Sequence, residues 1–414
     1  MNPNIYYLED IIPHYVESIQ QVNVYSVVLL DVSKEQNSES NKSTLSNQED
    51  NYEYRVIETS QEKIIDLKEG QYVYYDENNF TNANGSNIAK RNIFFNNFYR
   101  GRLLYKNLDR IQESKPLINP EVHSYHINVG HGNCSLIVIK DSNVTKLWMI
   151  DCSDFDFMNR KSYRSKIDAC FDYISKKFAL KSIKIDTFFL THLHYDHYSG
   201  ISRLIDQGII NSNTILYFNM HYAMASPNYN RLLRKINQLN PIIIEPLSSY
   251  SNNEIDIWHP HLTTIKSMSS KYSGIANVQV EPNPNNASAV YHLKIGNKSI
   301  LLPGDLETDG WNSINKCFSH LNSSNYFAIS HHGSLNGHLR NKCPVEVVPI
   351  TNLSECICPD STPVLMGRDK AYPGIYSYKV INDFVNIVYS EKDDKGKPCN
   401  FLEIDWQSDN KRWY

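Results

Sequence analysis

From residue 123 onward, short apolar blocks alternate with stretches of helical periodicity. HSYHINVG, CSLIVIK and KLWMIDCS within 123–153, and IDTFFL at 185–190, are apolar runs of strand length. Between them, SKIDACFDYISKKF at 165–178 reads as a helix, as does 228–239, and further strands are expected at 289–295, 299–303 and 326–330. Short buried strands interleaved with helices predict an α/β core. Ahead of it, 24–32, 52–58 and 71–75 read as strands, separated by the polar tract QNSESNKSTLSNQEDN at 36–51 and followed by the turn-rich DENNFTNANGSN at 76–87. The polar tract cannot bury enough apolar area to order itself and is expected to be a flexible surface loop. Residues 1–118 are therefore expected to form a small β-containing accessory region, and 119–414 the main domain. No internal repeat interrupts this organisation.

Composition narrows the class. The chain has 414 residues, 41% hydrophobic and 21% charged, which suits a soluble globular protein and excludes full-length disorder or a fibrous architecture. No stretch approaches the roughly 18 apolar residues of a membrane span. The opening MNPNIYYLED lacks the basic and apolar regions of a secretory signal, so the expectation is a cytoplasmic protein with no membrane partner. Forty-one Lys and Arg against 45 Asp and Glu give a net charge of −4, which argues against non-specific coating of long nucleic acid. Eight cysteines are too sparse for a disulfide scaffold and read as reduced thiols.

Candidate chemistry concentrates in THLHYDHYSG at 191–200, where His192, His194, Asp196 and His197 follow the apolar run 185–190. Alternate residues of an extended segment share a face, so His192 and His194 can reach one ion together. Asp196 and His197, where the chain turns into the next helix, face a second. Imidazole and carboxylate suit Zn, Mn or Fe, and a site with open positions can hold a reactive water. ILLPGDLE at 300–307 sets Asp305 just after a strand and a Pro-Gly turn, where a carboxylate could bridge two ions or simply serve the turn. FAISHHGS at 327–334 brings His331 and His332 to another strand end, as ligands or as surface decoration. Each of these two segments is weak alone; their order after the first motif makes them one candidate site.

The series HINVGHGNCSLIVI (126–139), WMIDCS (148–153), THLHYDHYSG, NNASAVYHL (285–293), LLPGDLE and SHHGS resembles the metallo-β-lactamase-fold hydrolases. It is most similar to the metallohydrolase domain of bacterial competence (DNA-uptake) channels and its soluble stand-alone relatives, and AYPGIYSYKV (371–380) and IVYSEKDDKGKPCNFLEIDW (387–406) resemble that group's closing segments. The resemblance covers about residues 123–414. It implies a four-layer αββα sandwich and two divalent ions, Zn or Mn. His192 and His194 would hold the first ion, Asp196, His197 and His332 the second, with Asp305 bridging. His331 would contact substrate or donate a proton, and Asp151 would support the metal loop from behind. Two ions lower the pKa of a shared water and neutralise charge on an attacked phosphoryl or carbonyl group. Asp196 would orient that water or take its proton, and His331 would help the leaving group depart.

The implied activity is a metal-dependent hydrolase, a phosphodiesterase or nuclease acting on DNA, RNA or a cyclic nucleotide. The alternatives are hydrolysis of a lactone, thioester or amide, and a binding or sensor subunit working through a protein partner docked on the N-terminal region. The sequence also departs from the family. The third His expected for the first ion is missing where NNASAV stands, so Asn285 or a water takes its place; His221, His259, His261 and His292 read as structural. Gly132-Asn133 stands where a Gly-Asp is expected, which removes a carboxylate beside the site.

Two further segments are open. KRNIFFNNFYRGRLLYKNLDR at 90–110 interleaves Phe94, Phe95, Phe98, Tyr99 and Tyr105 with Lys90, Arg91, Arg100, Arg102, Lys106 and Arg110. Cations with stacking rings are what a single-stranded nucleic-acid groove needs, and Arg100, Arg102 and Lys106 are its candidate contacts. The plainer reading packs the rings onto the main domain and leaves the charges as a solvated face. His338, Cys343, Cys356 and Cys358 lie close in sequence, but their spacing matches no zinc ribbon or finger, and the thiols read as ordinary buried ones.

Overall fold

The structure is a computed structural model and describes residues 4–16, 21–33, 53–64, 66–76, 79–103, 119–142, 144–222, 224–261, 283–314, 324–338, 361–369, 371 and 375–414. The polar tract 36–51, Tyr105, Lys106, Arg110, Cys343, Cys356 and Cys358 lie outside the described residues. The chain divides into two compact units, 1–103 with 223–238, and 104–222 with 239–414.

The first unit holds an antiparallel sheet built from β1 (Ile5–Val16), β2 (Gln21–Asp31), β3 (Tyr54–Ser60), β4 (Tyr72–Asp76) and β5 (Asn79–Asn82), in the order β3-β2-β1-β4-β5. Tyr6, Leu8, Val27, Leu29 and Val73 pack with Ile64 on one face. The helix Asn87–Arg102 starts at Ser86, whose Oγ accepts from the Ala89 N–H at 3.2 Å and so satisfies one of the donors a helix start leaves open. Its packing against the helix Pro227–Leu239 is polar. Asn96 Nδ2 donates to Asn230 Oδ1 (3.2 Å) and to the Met224 carbonyl, Asn230 Nδ2 donates to the Asn92 carbonyl (2.9 Å), and Asn237 Nδ2 to the Tyr99 carbonyl (3.1 Å). These bonds explain why a helix from the middle of the chain belongs with the N-terminal strands.

The second unit is a sandwich of two sheets. The first is β13-β12-β11-β8-β7-β6-β20-β21. Its members are β6 (Glu121–Ile127), β7 (Cys134–Asp141), β8 (Val144–Cys152), β11 (Thr187–Leu190), β12 (Ile215–Phe218), β13 (Ile242–Ile244), β20 (Phe401–Asp405) and β21 (Asn410–Trp413). A small hairpin, β9 (Phe155–Asp156) with β10 (Lys161–Ser162), stands outside it. The second sheet runs β14-β15-β16-β17-β18-β19. It comprises β14 (Ile255–His259), β15 (Val290–Ile295), β16 (Lys298–Leu302), β17 (Tyr326–Ala328), β18 (Thr362–Leu365) and β19 (Val388–Tyr389). Alternate residues of both sheets meet between them: Ile137, Ile139, Trp148, Ile150 and Phe189 from one, Tyr291, Leu293, Ile300, Leu302 and Val364 from the other. The outer faces are apolar too, as Phe188 and Leu190 of β11 show, because helices such as Arg164–Lys177 cover them with Ile167, Cys170, Phe171 and Ile174. The result is the four-layer αββα architecture that the sequence implied.

Parallel pairing sets the position of the site. β8, β11 and β12 run parallel in one sheet and β16, β17 and β18 in the other. The carboxyl end of β8 carries Asp151, and the segments that leave β11, β16 and β17 carry residues 191–197, Asp305 and His331-His332. Groups on loops at strand carboxyl ends can converge without disturbing the sheets that hold them.

Candidate metal centre

Asp151, at the end of β8, is buried and organises the loop after β11. Its Oδ1 accepts the Thr191 backbone N–H at 2.8 Å, and its Oδ2 accepts the Thr191 hydroxyl at 2.7 Å and His197 Nδ1 at 2.8 Å. A carboxylate here can only accept, so Nδ1 of His197 carries a proton and Nε2 points inward, toward Asp305 and Asp196. The Thr191 hydroxyl, already donating to Asp151, lies 3.2 Å from His192 Nδ1 and so accepts from it, which leaves His192 Nε2 free to act as a donor of electrons. That Nε2 is 3.2 Å from His194 Nδ1.

Beyond this pair, four buried side chains converge. His197 Nε2 lies 3.3 Å from Asp305 Oδ1 and 3.8 Å from Asp196 Oδ2. His332 Nε2 lies 3.3 Å from Asp305 Oδ2 and 3.4 Å from Asp196 Oδ2. One ligand atom from each of the four falls within 4.8 Å of all the others. Two ligand atoms bound at about 2.1 Å to a tetrahedral ion are about 3.4 Å apart, so these separations fit a shared cation. His197 Nε2, His332 Nε2 and Asp305 Oδ1 are buried and make no hydrogen bond, which a metal would remedy.

The electrostatics agree with that fit. Burial lowers the pKa of His192 well below the usual imidazole value and those of His194 and His331 to about 4, so these rings offer lone pairs at neutral pH. Burial acts the same way on His332 and His197, but Asp305 and its neighbouring carboxylates outweigh it, raising His332 to about 9 and His197 well above the ordinary range. Asp196 and Asp305 are held far below the carboxylate range, because the surrounding imidazoles outweigh the effect of burial. The pocket thus demands positive charge, which a divalent ion supplies.

Backbone strain collects at the same place. Asp151, His331 and His332 adopt left-handed conformations with φ of 50°, 49° and 50°. Such geometry costs a non-glycine residue roughly 1–3 kcal/mol and persists where surrounding contacts fix it.

Residues 127–310 match the model of the metallo-beta-lactamase superfamily. That stretch is similar to the metallo-β-lactamase-fold metallohydrolases. No curated protein sequence matches it. Among solved structures, human tRNase Z, short form, is similar at 13% identity and a TM-score of 0.27, over 50% of this chain and 76% of that one. The metallo-beta-lactamase FIM-1 from Pseudomonas aeruginosa, in its mono-zinc form, is similar at 15% identity and a TM-score of 0.23, over 47% of this chain and 71% of that one. No helix among the described residues is long and apolar enough to cross a membrane.

Within the second unit the structure brings His192, His194, Asp196, His197, Asp305 and His332 together, with Asp151 behind them. Asn285, in the turn where a third His is missing, faces His194 and donates through Nδ2 to Glu307 at 3.1 Å. His331 stands at the edge, its Nε2 3.9 Å from Asp305 and its Nδ1 3.7 Å from Glu307. Three other histidines between the motifs are engaged elsewhere: His259 Nδ1 binds the Ser288 carbonyl, His221 Nε2 the Pro246 carbonyl, and the His292 ring lies tilted against Trp258 at 5.1 Å. His338 pairs with Asp383 at 2.9 Å. Arg100 and Arg102 belong to the first unit.

Two participants escaped the sequence reading. His131 Nε2 lies 3.3 Å from Asp196 Oδ2, and its ring sits 4.7 Å from that of His332. The flanking Gly130 and Gly132 were its signal: a Cβ on Gly132, at φ 138°, would stand 2.6 Å from the Asp196 carbonyl, so only glycine lets this loop approach. Glu307 was the second. Its carboxylate gathers the amides of Asn283, Asn285 and Asn336 at 2.8–3.1 Å and so fixes the wall beside His331.

Proposed function

We propose that the chain is a metal-dependent phosphodiesterase acting on nucleic-acid or nucleotide phosphodiesters, with two divalent ions, Zn or Mn, held by His192 and His194 and by Asp196, His197, Asp305 and His332. The observation that carries this reading is the buried convergence of Asp196, His197, Asp305 and His332 beside the His192–His194 pair. Ions bound there would lower the pKa of water toward neutrality and neutralise charge on a phosphoryl group. Asp196, facing His131, His197 and His332, stays a carboxylate there and would orient the attacking water by accepting its hydrogen bond. His331, a neutral imidazole at the edge, can present a ring N–H to a phosphoryl or departing oxygen. Asn285, fixed by Glu307, takes the third position beside His194. The similarity of 126–139, 285–293 and the closing segments to the competence-channel metallohydrolases favours a phosphodiester over a carbon ester. Cys134, Cys152, Cys170 and Cys399 are buried and free of disulfides, which supports a reducing, cytoplasmic setting.

The test is hydrolysis of bis-p-nitrophenyl phosphate by metal-stripped protein refilled with Mn or Zn. The refilled protein should turn over and Asp196→Ala should lose at least about 10²-fold in kcat. Silence from metal-loaded wild type, with turnover on a lactone or thioester panel, would overturn the phosphodiester assignment.

A further inference from the structure

The helix Asn87–Arg102 inverts the usual partition of a surface helix. Its buried side chains include Asn92 and Asn96: Asn96 Nδ2 donates to Asn230 Oδ1, and Asn92 Oδ1 accepts from Asn230 Nδ2 at 3.4 Å, both on the helix Pro227–Leu239. Its exposed side chains include Ile93, Phe94, Phe95 and Phe98, with Phe94 at 62% exposure. A soluble helix normally does the reverse, since each exposed ring forfeits favourable burial.

The exposed rings are ordered along the helix. Residues four apart share a face, so Lys90, Phe94, Phe98 and Arg102 form one row and Arg91, Phe95 and Tyr99 an adjacent one. Phe94 and Phe98 stack with centroids 6.2 Å apart and planes 17° apart, and Phe95 and Tyr99 at 6.1 Å and 21°. Arg102 lies over the Phe98 ring at 5.1 Å. The first row therefore reads cation, ring, ring, cation over about 18 Å of helix. The segment 87–102 holds four cations and no acidic residue in a chain whose net charge is −4.

We propose that this face is a binding surface for single-stranded nucleic acid, with Phe94, Phe98, Phe95 and Tyr99 as stacking platforms and Lys90 and Arg102 as phosphate contacts. Bases present π faces and phosphates present negative charge at short, regular intervals, and the two rows offer the complement of both. A duplex hides its base faces, so the rings discriminate against it. A purely apolar protein partner would use the rings but not the uniform positive charge. The surface deepens the phosphodiesterase reading by naming the polymer form of the substrate.

Fluorescence anisotropy of the full chain with labelled 20-nucleotide dT or U strands, in EDTA to exclude turnover, tests it. Wild type should bind the single strand at least tenfold more tightly than a duplex of equal length. Phe94→Ala/Phe98→Ala should weaken binding at least tenfold, with circular dichroism confirming that the fold persists. Lys90→Gln/Arg102→Gln should weaken it too and flatten the slope of log affinity against log salt by about two. No binding by wild type, equal binding of duplex, or an unchanged affinity in Phe94→Ala/Phe98→Ala would overturn the proposal. Self-association abolished by that substitution, without oligonucleotide binding, would overturn it in favour of a protein interface. Binding without phosphodiester hydrolysis would leave this surface standing and remove the catalytic reading; hydrolysis of bis-p-nitrophenyl phosphate without oligonucleotide binding would do the opposite.

Discussion

Asp151 touches no candidate ion position, yet three donors depend on it: the Thr191 N–H, the Thr191 hydroxyl and His197 Nδ1. Asp151→Asn keeps the volume but offers one acceptor oxygen in place of two and removes the charge behind His197. Metal affinity should fall about 10–100-fold, measured by competition with a chromophoric chelator, while circular dichroism stays unchanged. An unaltered affinity would show that His197 is oriented by other contacts. The ligand candidates were legible in the sequence because four of them crowd into six residues and the others stand at strand ends beside Gly. His131 and Glu307 were not. A single His between glycines acquires meaning only when folding sets it 3.3 Å from Asp196, and Glu307 only when three asparagine amides from two separate segments close on it.

At the scale of elements, the site depends on how closely the loops approach one another. The loop after β6 meets the loop after β11 where Asn133 N–H donates to the Asp196 carbonyl at 3.1 Å, and Gly132 stands between them. Gly132→Ala places a methyl in forbidden space and strains a φ of 138°. It should destabilise the protein by roughly 1–3 kcal/mol and displace Asp196, seen as a lower melting temperature together with reduced metal stoichiometry. A lower melting temperature with full metal content would separate the two effects and refute the displacement. The strands around these loops were readable because burial on both faces makes them continuous apolar runs. β1 was overlooked because Glu9, Asp10 and Pro13 break its apolar pattern, and β5 because NFTN looks like the turns that flank it. The inversion of the helix Asn87–Arg102 was invisible for the opposite reason: buried amides owe their place to partners on a helix more than 120 residues later in the sequence.

Across the whole molecule, one buried carboxylate gathers distant parts of the second unit. Glu403, on β20, accepts from Tyr125 at 2.9 Å, from Lys177, and from Tyr173 and Tyr414 at 3.0 Å each, with His123 Nδ1 at 3.0 Å. Burial opposes its ionisation, but the donors from His123, Lys177 and Tyr125 outweigh burial and hold its pKa well below the carboxylate range. Because the folded value lies below the unfolded value of about 4.3, the unfolded chain binds the extra proton first as pH falls. The stabilisation is complete above that value and is lost as pH drops toward the folded one. The melting temperature of wild type should therefore fall more steeply between pH 5 and pH 3 than that of Glu403→Gln; parallel curves would show that other carboxylates govern acid unfolding.

The residues sealed between the two sheets, from Ile137 and Trp148 to Leu302 and Val364, include none of the candidate ligands, all of which stand on loops or short helical turns past the strand ends. Durability and chemical choice are thus carried by separate sets of positions. A lineage, or an engineer, can exchange loop residues to accept a new substrate while the sandwich keeps its melting point, and can harden the sandwich without retuning what the loops recognise.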